Sequence, residues 1–385
     1  MLNSLLQRGT VMKPLSGKQL STQRVVMLVD LDYFFAQCEE ARNPSLKNKP
    51  LVVCVYSGRS GESGVVSTAN YEARRHGVKS GIPISLAKKR LANVDAVFLP
   101  VDHEYYNRVS EEVMSILRRH ADVFEQAGVD EAYLDVSGRV EGDFDRAVEL
   151  ARMMKEEVRR SKGLTCSIGI GPNKLVAKIA ADFQKPDGLT VVKPEEVQGF
   201  LSPLPVNRLI GVGVKTQSLM ESLGIKTIGD LARYDVKKLV EVFGEKLGVY
   251  FHNASLGIDN QPVKERGEAS SISRISTLKK DSRDPEAVLD KTGELCEEIH
   301  SELSRRGLKA RQVGIIVVAS DMSVHSRSKT LEHATSDPEA LKKNVRELFE
   351  KFLRETGLEA RRVGVRVSGF VKEEGQKQLR AFIAG

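Results

Sequence analysis

The chain has no tryptophan and only four cysteines, Cys38, Cys54, Cys166 and Cys296, none of them in a C-x-x-C pair. That spacing excludes a disulfide framework and a thiolate zinc site, and leaves reduced thiols as the expectation. The seven histidines form no H-E-x-x-H and show no ligand spacing. No apolar run approaches the ~20 residues of a membrane helix. Residues 1–23 lack the apolar segment of a secretory signal and read as a loosely packed extension. A cytoplasmic protein without a membrane partner is expected.

What is present fits a multidomain protein. The 385 residues exceed one ordinary domain, and 41% hydrophobic content can build real cores. Lysine and arginine number 59 against 52 acids, a net charge of +7. An excess of that size suits a polyanionic partner, and equally a well-solvated basic surface.

Read for periodicity, the first half interleaves strands and helices. Val25–Val29 is an apolar strand and Phe34 to about Arg42 a helix, stopped by Asn43-Pro44. A strand "PLVVCVY", a turn "SGRSGESG" and a strand from Val65 into a helix through Tyr71 and Arg74 follow. "VFEQAGVDEAYLDVSG" reads as two strands around a turn, Phe144 to Arg160 as a long helix, and "LTCSIGIG" as a buried strand. From about Pro194 the texture changes to short helices, and Gly257 to about Ala269 reads as a polar tether. Beyond it lies a β-α-β-β-α-β pattern with helices over Pro285–Arg306 and Pro338–Thr356. Strands interleaved with helices favour α/β or α+β with a mixed sheet, and the fold class expected for the whole chain is α+β multidomain.

The chemistry centres on acids at strand ends. "VDLDYFF" sets Asp30 at the end of the first strand, and "GVDEAYLDV" sets Asp130 and Glu131 at a hairpin turn. Carboxylates there need a cation if buried. Oxygen ligands from separate strands, completed by phosphate oxygens, suit Mg²⁺, and two such ions would activate a hydroxyl and stabilise a leaving oxygen. Any one of these acids alone reads more simply as a turn or cap residue. Tyr71 and Arg74 stand one helical turn apart, able to share an anion, and Lys185 precedes the helix-breaking Pro186.

Taken in order, "VDLDYFFAQCEEARNPSLKNKPLVV", "SGVVSTANYEARRHGVKSGIPI", "GVDEAYLDVSG" and "SIGIGPNKLVAKIAADFQKPDG" resemble the Y family of translesion DNA polymerases, most nearly its archaeal, polymerase IV-like members. The resemblance runs from about Val25 to Phe370. It implies a right-hand architecture: palm over 24–34 and 101–192, fingers over 35–100, thumb over 193–256, linker over 257–269, little finger over 270–370, and a clamp-binding tail over 371–385. Asp30, Asp130, Glu131 and the backbone carbonyl of Leu31 match the family's ligands for two Mg²⁺ ions. Tyr71, Arg74 and Lys185 match its triphosphate ligands, with Thr68 and the amides of Tyr33, Phe34 and Phe35 beside them. Phe35 matches the steric gate against a ribose 2′-OH, where many archaeal relatives have tyrosine. Gly64, Val65 and Ser67 match the roof over the nascent base pair, and their small size implies weak selection on pair shape. Asp32 stays open between supporting a metal ligand and capping the Phe34 helix.

Three further segments are read for partners. "LIGVG" offers Gly211 and Gly213, with Lys215 behind them, as a helix-hairpin-helix that approaches a DNA phosphate, the alternative being a tight turn. Alternation in "RRVGVRVSGF" sends Val363, Val365 and Val367 to one face and Arg362 and Arg366 to the other. Arg361, Arg274, Arg327 and Lys329 extend that basic set toward a DNA backbone, the alternative being a solvated face balanced by acidic helices. Gln376, Leu379, Phe382 and Ile383 fit a sliding-clamp-binding peptide, the alternative being a frayed amphipathic end. The expectation is a monomeric, low-fidelity DNA polymerase that acts on primer-template DNA with dNTPs, and without a proofreading exonuclease. Two rivals stand beside it: a catalytically weak DNA-binding scaffold, and another palm-type nucleotidyl transferase or cyclase.

Overall fold

The structure, a computed structural model, describes residues 23–265, 267 and 269–372. Strand β1 (Val26–Leu31) and helix α1 (Phe34–Arg42) lead into β2 (Leu51–Tyr56), β3 (Gly64–Ala69), α2 (Tyr71–Arg75), α3 (Ile84–Arg90) and β4 (Val97–Pro100). Helix α4 (His103–Arg119), the hairpin β5 (Val123–Gln126) and β6 (Glu131–Asp135), α5 (Phe144–Lys162), β7 (Cys166–Gly171), α6 (Lys174–Ala181) and β8 (Leu189–Val191) come next. Five short helices follow: α7 (Val197–Leu201), α8 (Val214–Ser222), α9 (Ile228–Arg233), α10 (Val236–Phe243) and α11 (Glu245–Ser255). The last stretch is β9 (Ser271–Ser282), α12 (Pro285–Arg306), β10 (Leu308–Ala319), β11 (Val324–Thr335), α13 (Pro338–Glu355) and β12 (Ala360–Lys372). The described residues fall into two compact units, 23–34 with 103–265 and 35–102 with 267–372.

The first unit is built on a mixed sheet in the order β5-β6-β1-β7-β8. Its central strand β1 is buried along its whole length, which is why the sequence carries a continuous apolar run there. Strands β6 and β7 flank β1 antiparallel, while β8 runs parallel to β7. Helix α6 lies tight on the sheet because Gly169 has no side chain: a Cβ there would sit 2.1 Å from the Ala177 carbonyl oxygen. Asn173 caps α6, and Leu175, Val176 and Ile179 join the short helices in one core with Leu201, Ile228 and Phe251.

Residues 257–265, read in the sequence as the start of a polar tether, are docked on this unit. Val263 is buried against Val26, Leu28, Ala177 and Ala181. The Asp259 carboxylate accepts from the Leu175 amide at 3.2 Å, and Glu125 accepts from the Lys264 amide at 3.1 Å. One apolar residue in a polar segment is enough to anchor it when a hydrophobic sheet face offers a place for that residue.

The second unit holds a three-stranded sheet, β3-β2-β4, with α2 and α3, and a four-stranded antiparallel sheet, β11-β10-β12-β9, with α12 and α13. The expected β-α-β-β-α-β order is observed. Asp284 and Asp337 cap the two long helices ahead of prolines at the first helical position, and Gly307 ends α12 at φ 61°. Leu295, Ile299, Leu341 and Phe349 pack under Val313, Ile315, Val363 and Val365.

Candidate active site

Strand β1 runs two residues further than its apolar stretch suggests, so Asp30 lies within the ladder. Its register partner on β6 is Glu131, and Leu31 donates its amide to the Asp130 carbonyl at 2.8 Å. Cross-strand partners share a sheet face, so two like charges stand side by side where repulsion is costly. Two lysines answer them. Lys178 of α6 bridges Asp30, at 3.3 Å, and Glu131. Lys185 reaches Asp30 at 2.8 Å and Asp182 at 2.7 Å.

The electrostatics follow from that crowding. Burial raises the Asp130 carboxyl above its ordinary range, and the charges of Asp30 and Glu131 add to the rise. Burial alone would pull the Lys178 ammonium down, but Asp30 and Glu131 outweigh it and the net shift is upward. Lys185 behaves likewise, with Asp30 and Asp182 overcoming burial. Among the described residues no three His, Cys, Asp or Glu side chains close a metal cage by themselves. Hard oxygen donors that already share one cationic group do fit a divalent ion that keeps part of its shell for water or phosphate, as Mg²⁺ does.

Tyr33 turns the chain out of β1 at φ 35°, a left-handed value uncommon outside glycine. The two rings that follow part company. Phe34 is 3% exposed and packs edge-on against Tyr106 at 6.5 Å, while Phe35 keeps partial exposure.

In the second unit Tyr71 and Arg74 meet as expected, with the guanidinium 4.8 Å from the ring centre and its Nε donating to the Ala69 carbonyl at 2.9 Å. Asn70 starts their helix by accepting from the Ala73 amide at 3.0 Å, and its own amide group donates to Glu40 at 2.8 Å. Thr68 is buried, whereas Val65 is exposed. The β2 register slips between Val66 and Thr68, leaving Ser67 in a bulge. Gly64, at φ 145°, admits no side chain, since a Cβ would meet the Val55 carbonyl oxygen at 2.2 Å.

Comparison with known proteins is consistent along the chain. The impB/mucB/samB family matches residues 29–182, its C-terminal domain residues 269–381, and the thumb domain of DNA polymerase-iota residues 207–259. DNA polymerase IV of Nitrosopumilus maritimus is 49% identical over 360 residues, spanning 93% of this chain and 99% of the relative. DNA polymerase IV 1 of Methanosarcina mazei is 46% identical, with the same coverage of both. A solved Y-family DNA polymerase chimera of Dbh and Dpo4 superposes with a TM-score of 0.85 at 36% identity, over 90% of this chain and 99% of that one. An insertion ternary complex of Dbh DNA polymerase gives 0.67 at 35% identity with the same coverage. The chain belongs to the Y family of DNA polymerases.

Its architecture is accordingly that family's palm, fingers, helical thumb and little finger. In the thumb, the hairpin buries Leu209 and Val212 and turns Gly211, Gly213 and Lys215 outward. Gly211 needs glycine for its φ of 88°; a Cβ on Gly213 would meet nothing within 4 Å, so that backbone is open to close approach.

The little finger divides the expected basic set. Arg274 pairs in register with buried Val365, Arg327 with buried Ile315, and Lys329 with buried Val313. These three therefore point to the helix-covered face, where they pair with Glu298 at 3.4 Å, Glu355 at 3.3 Å and Glu347 at 2.7 Å. The expectation that they share the basic outer face is corrected: they balance the acidic helices. Arg361 sits in a bulge and pairs with Asp281 at 3.5 Å. Arg362 and Arg366 remain on the outer face, exposed. Thr277 and Val318 are in register with Arg362, Ser273 and Gly314 with Arg366, and Ser271 accepts from Arg366 at 3.2 Å. Gln376, Leu379, Phe382 and Ile383, expected from the sequence to bind a clamp, lie outside the described residues.

Sequence reasoning missed Lys178, Asn70 and the placement of Asp32. Lys178 falls within "NKLVAKIAADFQKPDG", but nothing in helix periodicity says that its position faces the end of a strand as distant in the chain as β1.

Proposed function

We propose that this Y-family chain is a low-fidelity, template-directed DNA polymerase that adds dNTPs to a primer 3′-OH opposite damaged template. One observation carries the reading: Asp30 and Glu131 share Lys178 at the end of a buried palm strand, with Asp130 in the adjoining turn. Asp30, the Leu31 carbonyl, Asp130 and Glu131 would hold two Mg²⁺ ions. Bound there, the ions supply Lewis-acid activation of the attacking hydroxyl and neutralise charge on the departing pyrophosphate.

The chain's own groups do the rest. Lys185, Tyr71 and Arg74 bind the triphosphate and offset negative charge as pyrophosphate leaves. Phe35 blocks a 2′-OH, and Gly64, Val65 and Ser67 roof the new pair loosely. Gly211, Gly213, Lys215, Arg362 and Arg366 hold duplex phosphates, while Gln376, Leu379, Phe382 and Ile383 recruit a sliding clamp. The protein acts as a cytoplasmic monomer without proofreading.

Primer extension on undamaged and abasic templates tests this. Wild type should extend both in Mg²⁺ and Asp130→Ala should extend neither; equal extension by the variant would remove the metal assignment.

A further inference from the structure

Asp32 lies two residues beyond Asp30 and is 1% exposed. Its carboxylate accepts from the Thr165 hydroxyl at 2.8 Å, the Ser167 hydroxyl at 2.7 Å and the backbone amide of Asp187 at 2.9 Å. A buried carboxylate is costly unless donors surround it, so this is a constructed socket. The amide donor belongs to the turn after α6, and that turn carries Lys185.

The turn is cinched from the same side by other groups. Gly188 donates its amide to Ser167 Oγ at 3.2 Å, and its carbonyl accepts from the Ile168 amide at 3.1 Å and from Lys155 Nζ, also at 3.1 Å. The Asp187 carboxylate is gripped by Lys155 at 2.8 Å and Arg159 at 2.6 Å. A side chain at Gly188 would meet the Gln184 carbonyl oxygen at 2.2 Å, so the turn closes tightly. Lys185 projects from it to Asp30, 2.8 Å away. Asp30 and Asp32 are rigidly joined through the end of β1. The same short segment therefore holds one metal-binding carboxylate and, through Asp32, the turn that aims the lysine at it.

We propose that Asp32 is a positioning residue: it fixes the Lys185 turn against β1 and so sets the lysine's register on the β,γ end of the incoming nucleotide. The inference rests on the reading of Lys185 as a triphosphate ligand. Asp32 acts as a hydrogen-bond acceptor here. An asparagine can replace it, because its amide oxygen can take the Asp187 amide while the Ser167 hydroxyl rotates to accept from the new NH₂.

The test is single-nucleotide insertion with dNTP varied, run as a double-mutant cycle with Lys185→Ala. Asp32→Ala should raise the dNTP KM about tenfold with a smaller change in kcat, the factor expected for losing one hydrogen bond to a charged group. Asp32→Asn should stay within about threefold of wild type, since the acceptor survives. In the Lys185→Ala background, Asp32→Ala should add nothing further to KM. If it keeps its full effect there, or if Asp32→Asn is as damaging as Asp32→Ala, the inference is overturned. Should Asp32→Ala not fold, Thr165→Val and Ser167→Ala enter the same cycle, where fully additive losses overturn it equally. Wild type that extends no primer overturns the polymerase reading and this inference with it. Normal wild-type extension with a dNTP KM unchanged by Lys185→Ala overturns the lysine's role and the inference, and leaves the polymerase reading standing.

Discussion

The division of the little finger's basic residues gives the sharpest quantitative prediction about DNA binding. Arg362 and Arg366 stand on the outer sheet face, while Arg327 and Lys329 stand on the inner one with Glu355 and Glu347 as partners. Each phosphate contact steepens the fall of log affinity against log salt by about 0.9, so a fourfold salt increase costs about 3.5-fold per contact. The double variant Arg362→Ala/Arg366→Ala should flatten the slope by about 1.8 and lose its deficit as salt rises. Arg327→Ala/Lys329→Ala removes two partly exposed ion pairs, about 0.2–1 kcal/mol of stability each, and should leave the slope unaltered. Fluorescence anisotropy on a labelled primer-template between 50 and 200 mM salt, conditions chosen for about that fourfold span, reads both. Equal flattening by the two double variants would refute the face assignment, and with it the register argument.

Other consequences are independent of that face. Phe35→Ala should admit ribonucleotides, read as the ratio of rNTP to dNTP insertion efficiency; unchanged sugar selection would exclude the ring as gate. Asp130→Asn should abolish extension yet raise the melting temperature of the metal-free protein at neutral pH by about 2–4 °C, the shift that ~1 kcal/mol gives. The sign follows from a carboxyl raised in the folded state: its contribution is present below the unfolded value and is lost as pH climbs through the folded one. The gain from asparagine should thus shrink toward acid pH, and a gain that grows there would contradict the burial argument. The four cysteines are buried, and burial pushes the Cys54 thiol up to about 11 and the Cys38, Cys166 and Cys296 thiols up to about 12. Native protein at pH 8 should therefore resist iodoacetamide, and mass spectrometry should find all four labelled only after denaturation.

How much of this the chain declares in one dimension depends on which residues carry it. Asp30, Asp130 and Glu131 stand out because carboxylates at the ends of apolar strands break a strong local pattern, and no packing alternative absorbs all three. The caps of α12 and α13 are equally local, each an aspartate before a proline, so those boundaries could be read to within a residue. Alternation in β12 is unambiguous because Val363, Val365 and Val367 alternate with Arg362, Gly364 and Arg366.

Tertiary structure decided what local pattern leaves symmetric. Strand β11 reads "VHSRSKT", polar on both sides, and β9 carries both serine and isoleucine on each. Only their pairing with the valine faces of β10 and β12 says which side meets the helices, because cross-strand partners must share a face. Lys178 became a partner of Asp30 and Glu131 through the close approach that Gly169 allows. Asp32 looked like a second copy of Asp30, one pleat away. In a continued strand positions 30 and 32 would share a face, but β1 ends at Leu31 and the chain turns at Asp32 and Tyr33, which sends the two acids into different surroundings. Asp30 meets lysine ammoniums, while Asp32 meets hydroxyls and an amide of the turn that carries one of those lysines.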